Sequence, residues 1–191
     1  MAEKLIPTPS QTVGPFFHLA LDRPEWSDLA AGNPAGERIT VTGRVLDGDA
    51  APVPDACLEL WQANAAGRYA HPDDARGEVA LDPNFRGFGR VSTDAEGGFR
   101  FTTVRPGPVP GRGNAWQAPH IAVAVFARGL LKQLFTRIYF ADEPRNDADP
   151  VLAMIDDAAA RQSLLARRGA DGVYHFDIVL QGAGETAFFD V

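Results

Sequence analysis

From Ile39 onward the chain is a succession of short apolar or alternating runs separated by Gly, Pro and Asp, the pattern of β-strands bounded by turns. The runs cover Ile39 to Leu46, Ala56 to Gln62, Phe99 to Val104, His120 to Phe126, Gln133 to Phe140 and Val173 to Gln181. Between the third and fourth runs, Arg105-Pro106-Gly107-Pro108-Val109-Pro110-Gly111 holds too much proline and glycine to continue a ladder. It reads as a loop that delivers the chain to His120. One segment, Asp156 to Arg168, has helical character: Leu164 and Leu165 lie in an otherwise polar run and Gly169 is placed to end it. Six strands with one or two short helices predict a mostly β protein, an antiparallel β-sandwich.

The first 38 residues depart from this pattern. They carry Pro7, Pro9, Pro15, Pro24 and Pro34 without sustained periodicity, so residues 1–38 are expected to form an irregular arm. Such an arm orders by docking, ahead of a β domain over residues 39–191. At 191 residues, 45% hydrophobic and 23% charged, the chain can bury one sizeable core and is short for two full domains.

A net charge of -7 argues against nucleic-acid or anionic-membrane partners, so an anionic ligand must be met by local positive charge. The start of the chain lacks a basic-then-apolar signal pattern, and no stretch supplies the roughly 18 apolar residues of a membrane span. The single Cys57 has no intrachain partner for a disulfide and reads as a small packing residue, which fits a reducing, cytoplasmic setting. Phosphate-cradling loops, nucleophile elbows and Cys-x-x-Cys pairs are absent from the sequence. The glycine-rich Arg86-Gly87-Phe88-Gly89-Arg90 is not followed by a helical pattern.

The candidate chemistry lies at His120-Ile121-Ala122. On a strand, residues i and i+2 point to one face roughly 6.5–7 Å apart, so a His-x-His pair can converge on one metal ion. Here the second position is Ala122, which ligates nothing. Read alone, a residue such as His120 is more often a hydrogen-bonded core or rim histidine, and one such as Tyr69 a packing residue at a strand end.

Three longer segments carry a resemblance. Leu60-Trp61-Gln62-Ala63-Asn64-Ala65-Ala66-Gly67-Arg68-Tyr69, Asp82-Pro83-Asn84-Phe85-Arg86-Gly87-Phe88-Gly89-Arg90 and Ala118-Pro119-His120-Ile121 together resemble the intradiol ring-cleavage dioxygenases. The strand pattern itself is similar to the prealbumin-like sandwich, which alone gives a fold and no chemistry. The family resemblance implies a non-haem Fe(III) held by two tyrosines and two histidines, which activates a catechol for ring opening by O2. Phenolates offset the ferric charge and neutral imidazoles complete the shell. Position by position, Tyr69 and His120 match two of those ligands, while Val109 and Ala122 stand at the other two.

The resemblance therefore implies a chain with no metal ligand set and no catalytic residues of its own. It implies a heteromeric member of the family, in which a homologous iron-binding subunit carries the Fe(III), the substrates are protocatechuate and O2, and several such pairs assemble. In that arrangement Thr12, Gly14 and Pro15 of the arm match residues lining a shared substrate cavity. Glycine permits close backbone approach to a flat ring and proline fixes the turn. Arg137, on one strand face with Phe135 and Tyr139, is the further substrate contact expected, able to meet a carboxylate with two charge-assisted hydrogen bonds. Without the resemblance, the arm motif reads first as an ordinary proline-bounded turn, and Arg137 equally as an intrachain ion-pair partner or a substrate contact. A prealbumin-like binding or structural module, and a self-sufficient dioxygenase with substituted ligands, are the competing functions.

Overall fold

The computed structural model describes residues 9, 11, 12, 14 and 18–190. Its strands are β1 (Arg38–Leu46), β2 (Cys57–Trp61), β3 (Phe88–Ser92), β4 (Gly98–Val104), β5 (Val109–Pro110), β6 (Trp116–Gln117), β7 (His120–Phe126), β8 (Leu134–Phe140), β9 (Leu165–Arg168), β10 (Tyr174–His175) and β11 (Ile178–Val179). Two short helices, α1 (His18–Leu21) and α2 (Ala158–Gln162), accompany them. Among the described residues no helix is long and apolar enough to cross a membrane.

The strands are two-faced, as period-2 alternation requires. In β7, Ile121, Val123 and Val125 are buried in the main core, and in β8, Ile138 and Phe140 join them. The intervening positions, His120, Ala122 and Ala124 on β7 and Phe135, Arg137 and Tyr139 on β8, therefore share the opposite face. A smaller apolar cluster of Ala118, Tyr139, Leu152 and Leu164 supports one end of that face.

The chain is mostly β, as expected, but the pairing is mixed rather than wholly antiparallel. One sheet runs β11-β1-β10-β9-β8-β7-β2-β3, with β4 also on β1, and it is nearly closed. The pairs β1–β10, β1–β11 and β8–β9 are parallel. Two local features cause this. The C-terminal run breaks in two, because Asp177 Oδ1 accepts from the Arg44 backbone N–H at 2.8 Å and the Phe176 N–H donates to Thr42 O at 2.9 Å. The segment expected to be helical over Asp156 to Arg168 is helical only in α2, capped by Asp157. Beyond it the chain turns at Leu164, buried in the smaller cluster, and runs extended from Leu165, with Ala166 buried in the main core. Tyr139 N–H donates to Leu164 O at 2.8 Å and Ala141 N–H to Ala166 O at 2.9 Å, fixing β9 beside β8.

Three further features concern weakly patterned segments. Strand β3 lies in the glycine-rich stretch, where Arg90 pairs with Glu59 and stacks over Trp26 with 4.6 Å from guanidinium carbon to ring centroid. The proline-rich loop contains the short β5–β6 ladder, with Val109 opposite Gln117. The later part of the arm is tied to β4: Leu29 N–H donates to Thr102 O and Thr102 N–H to Ser27 O, each at 2.8 Å.

Gly43 shows how tightly β1 meets the C-terminal crossover, since a methyl group there would lie 1.7 Å from Phe176 O. Replacing Gly43 by Ala is expected to cost roughly 1–3 kcal/mol through overpacking and to lower the thermal midpoint by roughly 2–12 °C. An unchanged midpoint in calorimetry would show that this crossing yields without strain.

Candidate active-site remnant

The shared outer face of β7 and β8 opens into a cleft of about 720 Å³ walled by Trp61, Tyr69, Val109, Gln117, His120 and Arg137. The antiparallel register places His120 opposite Tyr139 and Ala122 opposite Arg137. Trp61, at the end of β2, stacks on Tyr69 with centroids 5.8 Å apart and planes 12° from parallel. Tyr69 is held from its backbone, its N–H donating to Asp74 Oδ2 at 2.9 Å. Arg76 binds Asp74 in turn and holds that carboxyl far below the usual carboxylate range.

Arg137 reaches this cleft from β8. Its Nη1 donates to Gln117 Oε1 at 2.7 Å and to the Tyr139 hydroxyl at 3.2 Å. Tyr139 passes its own proton toward Asp149 Oδ1 at 3.3 Å. Asp149 is fully buried and accepts backbone N–H groups of Ala118, Val151 and Leu152 at 2.7, 2.8 and 2.9 Å. This carboxylate thus anchors the residue two before His120 and, through Tyr139, the guanidinium. The sequence reading missed Asp149; an aspartate beside Pro150 reads as loop punctuation, and nothing local marks it as buried.

Electrostatics follow from this geometry. His120 is 5% exposed, and burial, with the nearby Arg137 charge adding to it, lowers its pKa to about 4. Its Nδ1 lies 2.7 Å from Ala118 O, which can only accept, so Nδ1 carries the proton of the neutral ring. Burial raises the Tyr69 and Tyr139 phenols above their ordinary value, so both are protonated at neutral pH.

A ferric ion does not suit these residues. Tyr69 and His120 offer one phenol and one imidazole; Val109 and Ala122 offer no donor atom. Ala122 opens instead onto an adjoining cleft of about 620 Å³ that also borders Gln117 and Arg137. Among the described residues no cluster of three or more His, Cys, Asp or Glu is placed to hold a metal. The fixed charge of Arg137, close enough to depress His120, adds repulsion to the shortage of ligands.

The arm residues stand elsewhere. Thr12 Oγ1 accepts the Gly129 N–H at 3.2 Å and lies 3.4 Å from Ala127 O, just beyond the far end of β7. The seven-residue length of β7, which begins at His120, spans about 20 Å to that point. Gly14 has φ +69° and open space around its Cα, while Pro15 lies outside the described residues. Arg128, between the two residues that Thr12 holds, is half-exposed and 3.2 Å from Asp55. Sequence reading did not single it out, because only the fold brings residue 12 to residue 128.

Comparison with known proteins follows the same lines. The family described as Dioxygenase matches residues 14–182. The chain is 41% identical to the protocatechuate 3,4-dioxygenase alpha chain of Pseudomonas putida over 100% of both chains. It is 44% identical to the protocatechuate 3,4-dioxygenase beta chain of Burkholderia cepacia, over 81% of this chain and 69% of that one. Among solved structures, the dioxygenase domain of a carbohydrate-binding fusion from Streptomyces sp. SirexAA-E matches with a TM-score of 0.60 at 31% identity, covering 95% of this chain and 100% of that one. The protein belongs to the intradiol ring-cleaving dioxygenase family. Within it, the alpha-chain match extends over the whole length, while the beta-chain match is more identical but shorter.

The buried neutral His120 has a thermodynamic consequence. Its folded pKa, about 4, lies below the ordinary 6.5, so on acidification the unfolded chain takes up this proton first. Its contribution to stability is complete above that ordinary value, falls between the two, and levels off below about 4. From about pH 7 to about pH 5, wild type should lose roughly 1–2 kcal/mol more stability than His120→Gln in urea unfolding. Equal losses would mean that His120 titrates normally.

Proposed function

We propose that this chain is the subunit without iron in a protocatechuate 3,4-dioxygenase, working with a homologous beta subunit that holds the Fe(III). The observation that carries this reading is the pairing of Ala122 with Arg137 at the family's metal position, in a chain alpha-like over its whole length. The assembly would add both atoms of O2 to protocatechuate between its hydroxyl-bearing carbons, giving 3-carboxy-cis,cis-muconate. This chain supplies shape, assembly and substrate contacts; the chemistry at the metal belongs to the partner. A cytoplasmic, higher-order assembly of alpha/beta pairs is the setting we assign.

The arm supports a shared site. Thr12 is tethered about 20 Å from this chain's own cleft, so the wall that Thr12, Gly14 and Pro15 provide serves a cavity outside it. The 1–38 arm thereby acts as the element that docks across the interface. The cation at that wall is Arg128, whose ion pair with Asp55 is exposed enough to yield to a substrate carboxylate. Arg137, midway along β8 and opposite Ala122, faces this chain's own cleft.

Co-expression with the beta homologue should give protocatechuate-dependent O2 uptake, while neither chain alone should reach that rate. Ring cleavage by this chain alone would overturn the proposal, and so would full activity of the partner alone. In the assembled enzyme, Arg128→Leu should raise KM for protocatechuate about tenfold or more at unchanged iron content. An unchanged KM would remove Arg128 from the substrate wall.

A further inference from the structure

We propose that the cleft between Trp61, Tyr69, His120 and Arg137 is itself a binding site for a hydroxylated aromatic carboxylate, held without metal and not cleaved. The inference goes beyond the shared-site reading and does not depend on a partner. It starts from the guanidinium. Nη1 of Arg137 is engaged by Gln117 and Tyr139, but among the described residues Nη2 and Nε have no hydrogen-bond partner and no carboxylate pairs with the side chain. A half-buried cation without a counterion is costly, and a planar fork with free donors suits a carboxylate.

The nearby acids do not meet this demand. Asp74 is committed to Arg76 and the Tyr69 N–H. Asp149 lies behind Tyr139 with its oxygens on three backbone N–H groups and that hydroxyl. Asp73 and Glu78 are exposed at the mouth.

The walls indicate what carries the carboxylate. Trp61 and Tyr69 present a stacked aromatic pair, and Val109 adds a buried apolar surface, a lining for a flat ring. Since Nδ1 of His120 donates to Ala118 O, its Nε2 lone pair is left as an acceptor, and no described residue donates to it. That matches a ring hydroxyl. The cavity, about 720 Å³, has room for a single-ring ligand with water.

The test uses 4-hydroxybenzoate and its uncharged counterpart 4-hydroxybenzamide, titrated calorimetrically into the full chain. One equivalent of the acid should bind, and the amide should bind at least about tenfold more weakly. Arg137→Leu should weaken the acid by a similar factor and leave the amide unchanged, with Arg137→Lys between the two. No binding of the acid, equal binding of acid and amide, or an unaffected Arg137→Leu that unfolds cooperatively would overturn the site. If Arg137→Leu does not fold, the acid-to-amide ratio on wild type decides. In a complex with an iron-bearing homologue, the acid should also occupy a site that leaves the iron charge-transfer band unchanged; occupancy confined to the band-perturbing site would refute the proposal. Because the lone chain is titrated first, this result stands apart from whether the assembly cleaves protocatechuate.

Discussion

The antiparallel register of β7 and β8 sets the chemistry of this protein. It puts His120 against Tyr139 and Ala122 against Arg137 on the face turned away from the main core. A methyl group at 122 leaves space beside a guanidinium where the family fold would otherwise gather metal ligands. The buried carboxylate of Asp149 then holds both sides of the arrangement, the Ala118 N–H before His120 and the Tyr139 hydroxyl that touches Arg137. A positive charge is thus built into the protein at the remnant site, and it lies on a side chain that cannot exchange or change oxidation state.

From that substitution the division of labour follows. A guanidinium among one phenol and one imidazole suits anions better than cations, which is the physical basis for assigning this chain a shaping and orienting part in the proposed assembly. Just beyond the far end of β7, Thr12 is tethered to the residues on either side of Arg128, the segment we assign to the wall of the shared cavity. Arg137, midway along β8, and Arg128, just beyond the end of β7, are the two cations to which we assign carboxylates.

The strands with strong alternation were legible from sequence, and β7 matches its expected limits residue for residue. The errors arose where tertiary contacts outweigh local pattern. Leu165-Ala166 reads as the end of a helix but is extended, because pairing with Tyr139 and Phe140 of β8 places Ala166 in the main core. The antiparallel expectation failed for the same reason, since β9, β10 and β11 take their direction from crossovers that no local pattern encodes. At the site, the absent donors at Val109 and Ala122 are visible once the family resemblance is drawn. Asp149 and Arg128 were not visible, because the contacts that mark them, to the Ala118 N–H and to Asp55, join residues distant in sequence.

The most direct measurement is the iron content and visible spectrum of the full chain alone after exposure to ferric iron and removal of the excess. The account predicts no stoichiometric iron and no tyrosinate-to-iron charge-transfer band, because Tyr69 and His120 lack partners and Arg137 supplies the local positive charge. One iron per chain with that band would contradict it and restore this subunit as a metal centre in its own right.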